Sequence, residues 1–199
     1  MKILAINGSY RDDGITDQSV DTMVQALEAT GADVETVQLR EYPIKFCLNC
    51  RECTQQLGEN PGRCVLDDGL NDLVTKIEQA DGYILASPTN FGSVTASFKR
   101  LMERLIVYAY WPWGNHAPKF RKAKLVKKKA LLITSSAAPG ILGRLLYTTL
   151  KQLKMTAKVI GAKPVGTFYT GLAAEKSDQQ LVQCVDKKIS ILVSKLIQS

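Results

Sequence analysis

The sequence predicts an α/β fold: a doubly wound, five-stranded parallel sheet with helices on both faces. Short apolar runs of four to seven residues alternate with longer amphipathic segments along the 199 residues. Strands that alternate with helices pair in parallel, and the helices then cover both faces of the sheet. With 45% hydrophobic residues the chain can bury a full core. We therefore expect residues 1–199 to form a single domain.

Five pairs of a strand and a helix are expected in chain order. The short apolar runs predict strands at Lys2–Asn7, Asp33–Leu39, Tyr83–Ala86, Ala130–Thr134 and Pro164–Phe168. The amphipathic segments predict helices at about Thr16–Thr30, Leu70–Gln79, Val94–Tyr108, Ile141–Thr156 and Ser177–Ile197. In the first helix, Val20, Val24 and Leu27 form one apolar stripe, and Gly31 is a typical stop signal. Five such units favour the strand order 2-1-3-4-5.

Two segments do not follow this alternation. A cysteine-bearing loop covers about residues 40–68, and an aromatic and basic insertion covers about residues 109–126.

The formal charge is +7, and the run Lys119–Lys129 holds seven Lys or Arg and no acidic residue. A run of this kind is usually a solvated face. Because it contains one aromatic residue and ends in a strand, we expect no nucleic-acid partner.

The sequence also predicts the cellular location of the protein. No apolar run approaches the ~20 residues needed to span a bilayer, so no membrane partner is expected. The first residues read as a strand and lack the apolar core and cleavage site of a signal peptide. We therefore expect a cytoplasmic protein whose five cysteines lie in a reducing environment.

The ligand site is expected at the carboxyl ends of strands one and three, where the strand order reverses. The loops that follow the strands there are residues 8–16 and 88–93, and residues 135–140 follow strand four. They are rich in Gly, Ser, Thr, Asn and Pro, which suits close backbone approach to a flat polar ligand. In the first loop, hydroxyl groups, Arg11 and the start of a helix can converge on one anion. A phosphate monoester fits this loop best.

Missing residues exclude several other functions of such a fold. The first loop lacks Gly-Lys-Ser/Thr and Gly-x-Gly-x-x-Gly, so it is neither a triphosphatase loop nor the usual dinucleotide fingerprint. It also lacks the nucleophilic cysteine of a phosphatase. The strand ends at Asn7 and Ser87 lack the acidic residues of a response regulator. A Ser-His-Asp hydrolase would have to use His116, the sole histidine, which lies in the insertion.

Two motifs together resemble the NAD(P)H-dependent FMN reductase family of flavodoxin-like proteins. They are Gly8-Ser9-x-Arg11-x-x-Gly14-x-Thr16 and Ser87-Pro88-Thr89-Asn90-Phe91-Gly92-Ser93-Val94-Thr95-Ala96-x-Phe98-Lys99. The resemblance spans roughly residues 1–170. Tyr10 and Ile15 stand where the family more often has Pro and Asn.

The resemblance implies which residues bind FMN. Ser9, Arg11 and Thr16 would hold the phosphate, and the residues from Pro88 through Gly92 would lie against the ring and ribityl chain: Pro88, Thr89, Asn90, Phe91 and Gly92. The strand order places Ser135 and Ser136 nearby. The implied reaction takes hydride from NAD(P)H and passes electrons to flavin, quinone or another small acceptor, with no catalytic side chain required. A homodimer is implied as well.

Four cysteines lie in one loop. Cys47, Cys50 and Cys53 are spaced by two residues, and Cys64 follows after ten more. This spacing is compatible with a [4Fe–4S] cluster, with zinc, or with free thiols or a redox-active pair. The cluster would make the protein an iron–sulfur flavoprotein that carries electrons for a redox protein, which is our alternative function. Cys184, in the last predicted helix, is expected to be a small buried hydrophobe.

The insertion concentrates both tryptophans, Trp111 and Trp113. The insertion would either cover the flavin or line a substrate pocket, or pack at a subunit contact, where aromatic residues are favoured, or form a plain surface loop. His116 has no identifiable partner in the sequence, so we assign it no catalytic role.

Overall fold

The computed structural model describes residues 1–122, 127–173, 178–181 and 186–198. Seven strands are present among them: β1 (Lys2–Asn7), β2 (Asp33–Gln38), β3 (Gly82–Ala86), β4 (Ala109–Tyr110), β5 (Lys119–Phe120), β6 (Lys128–Ser135) and β7 (Ala162–Thr170). Five of them form a parallel sheet in the order β2-β1-β3-β6-β7. The predicted order 2-1-3-4-5 is confirmed, because β4 and β5 form a separate antiparallel pair within the insertion.

Six helices accompany the sheet in the described part of the chain: α1 (Ile15–Glu28), α2 (Leu70–Gln79), α3 (Ala96–Arg104), α4 (Gly140–Leu146), α5 (Thr149–Val159) and α6 (Asp186–Ile197). Two short 3-10 turns cover Glu52–Thr54 in the cysteine-bearing loop and Leu105–Tyr108 after α3. None of the described helices combines the length and the apolar character that a membrane span needs.

The core lies on both faces of the sheet, because successive residues of a strand point to opposite sides. On β1, Leu4 and Ile6 pack with the buried residues of α2, α3 and α5. Ile3 and Ala5 pack on the other face, against α1 and α6. A parallel sheet covered in this way is apolar along its central strands, and β3 is buried along its full length.

Three predicted helices differ from the observed ones. The helix predicted for Val94–Tyr108 is wrong at its end, since α3 stops at Arg104 and a 3-10 turn follows. The helix predicted for Ile141–Thr156 is two helices, because Tyr147 is extended. The break lets the N–H and the hydroxyl of Thr148 both donate to the Gly92 carbonyl, each at 2.9 Å.

The last predicted helix also starts too early. Residues 178–181 are not helical, and α6 begins at Asp186. The N–H of Leu181 donates to the side-chain oxygen of Gln18 at 2.7 Å, so this segment lies along α1 instead of coiling. Cys184 lies outside the described residues, as do residues 123–126 of the basic run.

The end of β1 and the start of α3 meet at Gly8. Its carbonyl accepts a 2.6 Å hydrogen bond from the Thr95 hydroxyl, which also caps α3 by accepting from the N–H of Phe98. A Cβ on residue 8 would lie 2.9 Å from the Cβ of Phe98 and 3.1 Å from the Thr95 hydroxyl oxygen. Position 8 therefore requires glycine because of close approach.

We expect Gly8→Ala to lower the free energy of unfolding by about 1–3 kcal/mol, because the added methyl overpacks the contact with α3. Gly140→Ala is the control, since a Cβ there meets its nearest neighbour, the Tyr169 ring, at an ordinary 3.9 Å. Urea unfolding followed by circular dichroism measures both. Equal stability of the two variants would contradict the assignment of a tight contact at Gly8.

Candidate functional site

A cavity of about 220 Å³ opens at the carboxyl ends of β1, β3 and β6, which we call the strand-end cavity. It brings together eight of the ten residues predicted to bind the cofactor: Ser9, Arg11, Thr16, Pro88, Thr89, Asn90, Ser135 and Ser136. Tyr10, Gly14, Ile15, Ala137 and Ala173 complete its lining. The other two predicted residues, Phe91 and Gly92, are not part of this lining.

The wall formed by the first loop is suited to an anion. Gly14 is the N-cap of α1 in an extended conformation, and no side chain caps the helix. The first N–H groups of an α-helix have no partner inside the helix, and the helix dipole adds positive potential there. The hydroxyls of Thr16 and Ser135 are 2.7 Å apart, which joins the start of α1 to the end of β6.

The Ser9 hydroxyl shapes the same loop. It donates to the Arg11 carbonyl at 3.1 Å and accepts from the Arg11 N–H at 3.3 Å. Tyr10, one of the two departures from the family pattern, has a local role: its phenol oxygen accepts a 2.8 Å hydrogen bond from the N–H of Ser97, in the first turn of α3. The tyrosine therefore ties the first loop to the start of α3.

Behind this loop lies an ionic network that sequence reasoning missed. The Asp17 carboxylate is buried and accepts hydrogen bonds from the Asn7 amide at 2.6 Å and from Arg40 Nη1 at 3.1 Å. The Asn7 side-chain oxygen in turn accepts the Ser9 N–H at 2.9 Å. Asp17 could have been noticed as an acidic residue in the first turn of a helix. No sequence signal marks Arg40 as its partner.

The second loop turns sharply at its tip. The N–H and carbonyl of Asn90 exchange hydrogen bonds with those of Ser93 at 2.9 and 3.1 Å. Phe91 and Gly92 between them have φ angles of 50° and 76°. Such a turn favours glycine, asparagine or aspartate, so a phenylalanine there is strained, and strained residues cluster at functional sites. The Phe91 side chain is fully exposed beside the strand-end cavity.

The four cysteines of the 40–68 loop are free thiols that line one small cavity, which we call the thiol site. Burial first, and then the neighbouring thiols with Cys64 foremost, together raise the pKa of Cys53 to about 11. Within the described ranges, no three Cys, His, Asp or Glu side chains are placed so that they could share a metal ion. The thiols are thus gathered, but they are not arranged as a finished ligand set.

A buried ion pair supports the thiol site. Arg104, at the end of α3, is 1% exposed and forms a two-pronged contact with the Asp68 carboxylate at 2.6 and 3.1 Å. It also donates to the Lys45 carbonyl at 2.7 Å and to the sulfur of Cys64 at 3.2 Å. One guanidinium therefore holds both ends of the cysteine-bearing loop and one of its thiols.

The aromatic insertion packs on the cysteine-bearing loop and does not line the strand-end cavity. The Arg51 guanidinium lies 3.9 Å from the Trp111 ring centre and 4.3 Å from that of Trp113. The backbone N–H of Trp111 donates to the Thr54 carbonyl at 2.9 Å. His116 is exposed. Of the roles considered for the insertion, the observed contacts give no support to a cover over the strand-end cavity.

A larger cavity, about 440 Å³, lies between α3, α5 and the insertion. Its lining is mostly apolar and includes Met102, Leu105, Trp111 and Met155, with Cys47 at the border it shares with the thiol site. Among its described lining residues the one hydroxyl, that of Thr156, already donates to the Gln152 carbonyl at 3.0 Å, and none of these residues lies at the start of an α-helix. The smaller strand-end cavity therefore remains the better candidate for a phosphate-bearing ligand.

The basic run is solvated only in part. Lys122 Nζ lies 2.7 Å from the Glu78 carboxylate, and Lys128 Nζ donates to the carbonyls of Ile77 and Glu78 at 3.1 and 2.8 Å. Lys122 and Lys128 thus bind the last turn of α2, whereas Lys127 is exposed.

Comparison with known proteins agrees with this geometry. A family model described as NADPH-dependent FMN reductase matches residues 1–176. The chain belongs to this family. The solved structures that resemble it share the flavodoxin-like fold. An NAD(P)H:quinone oxidoreductase from Methanothermobacter marburgensis has a TM-score of 0.66 at 15% identity, over 100% of this chain and 96% of that one. An FMN-dependent NADH-azoreductase from Bacillus anthracis, in complex with FMN, has a TM-score of 0.65 at 12% identity, over 98% and 99%.

The curated relatives of this family member are named iron–sulfur flavoproteins. One from Methanocaldococcus jannaschii is 34% identical over 104 residues, which is 52% of this chain and 51% of the relative. One from Archaeoglobus fulgidus is 33% identical over 112 residues, which is 56% and 49%. The matched segments thus span about half the length of these relatives.

We expect Arg104→Met to lower the free energy of unfolding by about 3–5 kcal/mol, because it leaves the buried Asp68 carboxylate without its partner. Arg100→Met on the same helix is the matched control, since Arg100 lies over the Phe46 ring at 5.7 Å and its removal buries no charge. Chemical unfolding of both variants tests this. Similar losses in the two variants would show that the Arg104 pair is not the cause.

The Asp68 carboxylate should make the fold sensitive to acid. Burial alone raises its pKa, but the hydrogen bonds from Arg104 and from the N–H groups of Lys45 and Leu70 outweigh burial and hold the pKa below its ordinary value. A carboxyl whose pKa is lower when folded stabilises the protein fully above the unfolded value of about 3.9. That contribution disappears as the pH falls through the folded value.

Between pH 5 and pH 3 the free energy of unfolding should therefore fall less steeply for Asp68→Asn than for the wild type. Urea unfolding at several pH values measures the slope, with the exposed Asp33→Asn as control. Parallel slopes for Asp68→Asn and the wild type would contradict the role of Asp68.

Proposed function

We propose that the protein is an FMN-dependent oxidoreductase that takes hydride from NAD(P)H and passes electrons to flavin, quinone or another small acceptor. The observation that carries this proposal is the strand-end cavity. It combines an uncapped helix start and clustered hydroxyls with the Pro88–Asn90 loop. The family match and the flavin-related names of the similar structures support it.

The residue types in the cavity lining suit FMN. Ser9, Arg11 and Thr16 surround the start of α1, so they would hold the phosphate there. Pro88, Thr89 and Asn90 would lie along the rest of the flavin, with Phe91 and Gly92 at its outer edge. Bound flavin supplies the hydride chemistry itself. The protein's own task is to bind and orient it, and the described residues of the cavity lining include no His, Cys, Asp or Glu.

We also propose that the protein is a homodimer and is cytoplasmic, and exposed apolar side chains near the cavity support the dimer. Phe91 is fully exposed at the tip of the second loop, and Leu145 and Leu146 on α4 are 78% and 69% exposed. Exposed apolar side chains of this size next to a binding cavity are typical of a covered surface. The oligomer would shield them from water.

The second candidate is an iron–sulfur flavoprotein that exchanges electrons with a redox protein. It is favoured by the thiol site and by the curated relatives, which are named iron–sulfur flavoproteins. Cys47, Cys50, Cys53 and Cys64 would be the ligands of a [4Fe–4S] cluster, with zinc as the rival metal.

The donor set fits a thiolate-bound group in its chemistry. The Cys64 sulfur already accepts a hydrogen bond from Arg104. Two guanidinium nitrogens of Arg121, Nε and Nη2, are buried and have no hydrogen-bond partner among the described residues. Arg121 also interacts electrostatically with Cys53, so an anionic group there would gain from its charge. Because the Cys53 thiol has a raised pKa, it would release its proton as it binds metal.

Anaerobically purified protein should show flavin absorption bands, with about one FMN per chain, that NAD(P)H bleaches. Iron, acid-labile sulfide and zinc measured on the same sample separate the two candidates. Flavin without metal supports the reductase. Flavin with about four iron and four sulfide per chain supports the electron carrier, and Cys64→Ser should then reduce the iron content. A colourless protein that FMN does not reconstitute would refute both.

A further inference from the structure

A buried negative charge lies directly beside the proposed phosphate site. Asp17 is 4% exposed and follows Thr16 in the first turn of α1. A carboxylate stabilises a helix start, but it also repels a phosphate dianion that approaches the same N–H groups. The strand-end cavity can therefore favour an anion only if this charge is balanced.

Arg40 supplies the balance from another part of the chain. It follows β2, and its side chain is 16% exposed. Its Nη1 lies 3.1 Å from the Asp17 carboxylate and donates to the Ser9 carbonyl at 3.4 Å. Its Nη2 pairs with Asp12. One guanidinium thus contacts Ser9 and Asp12 in the first loop and Asp17 in the first turn of α1.

Several carboxylates surround the start of α1, and their combined negative charge needs a cation nearby. Burial and the charges of Asp17 and Asp13 raise the pKa of Asp21, and Arg40 opposes that effect. Glu41 lies 3.3 Å from Arg40 Nε, so the guanidinium faces several carboxylates at once. Without Arg40, this end of α1 would be acidic.

We propose that Arg40 is the positioning residue and counter-ion of the phosphate cradle, and that it gives the site its preference for a phosphorylated flavin over an unphosphorylated one. This inference rests on the proposed function, since it assumes that the strand-end cavity binds FMN. Arg40 acts through Ser9 and Asp17 and does not line the cavity itself.

The test is a comparison of FMN and riboflavin binding to the apoprotein by fluorescence quenching. Arg40→Met should weaken FMN binding about tenfold to a hundredfold, because the Asp17 carboxylate, no longer balanced, then repels the phosphate. Riboflavin binding should change about threefold or less, because riboflavin has no phosphate to be repelled. Arg40→Lys keeps the charge and should retain more of the FMN preference than Arg40→Met.

A double variant separates the effect of the Arg40 charge from the effect of its side-chain shape. In Asp17→Asn/Arg40→Met the repelling carboxylate is absent, so most of the FMN affinity lost in Arg40→Met should return. Arg100→Met, on α3, should leave both affinities unchanged. Circular dichroism identifies any variant that fails to fold, and Arg40→Lys then carries the comparison.

The outcomes are distinct. A wild type that binds no FMN refutes the proposed function together with this inference. A wild type that binds FMN, with equal losses of FMN and riboflavin in Arg40→Met, or no recovery in the double variant, overturns the inference alone. A selective loss of FMN that the double variant restores supports it.

Discussion

The hydrogen bond from the Thr95 hydroxyl to the Gly8 carbonyl joins the two loops between which the strand-end cavity lies. The same hydroxyl accepts the N–H of Phe98, so one short side chain caps α3 and fixes the end of β1 against it. The contact is possible because position 8 has no Cβ. This contact thus sets the distance between the first loop and the Pro88–Asn90 loop.

The helix that begins at this contact ends at the other candidate site. α3 is nine residues long, which corresponds to about 13 Å at 1.5 Å per residue. Thr95 caps its start beside the strand-end cavity, and Arg104 at its last turn donates to the sulfur of Cys64. α3 therefore connects the strand-end cavity to the thiol site.

Local patterns predicted the strands, their order and most of the strand-end cavity. Strand ends are marked by apolar runs that stop at Gly8 or Pro88, and parallel pairing then brings those ends together. The break after α4 was missed because the contact that accompanies it joins Thr148 to Gly92, 56 residues apart. The packing of the tryptophans on Arg51 was missed for the same reason, since Trp111 is 60 residues from Arg51.

Two buried ion pairs lie behind the two candidate sites, and both join residues that are distant in sequence. Arg40 meets Asp17 across 23 residues, and Arg104 meets Asp68 across 36. A buried ion pair adds little net stability compared with apolar side chains of similar volume, because both charges lose their hydration.

These ion pairs orient the arginine side chains and the loops that the arginines contact. Asp68 holds the Arg104 guanidinium so that one N–H reaches the Cys64 sulfur, and Asp17 holds Arg40 so that another reaches the Ser9 carbonyl. In each case the acid fixes the arginine and the arginine fixes a loop. An apolar pair could fill the same space, but it could neither orient these loops nor balance the charge of an anion bound beside them.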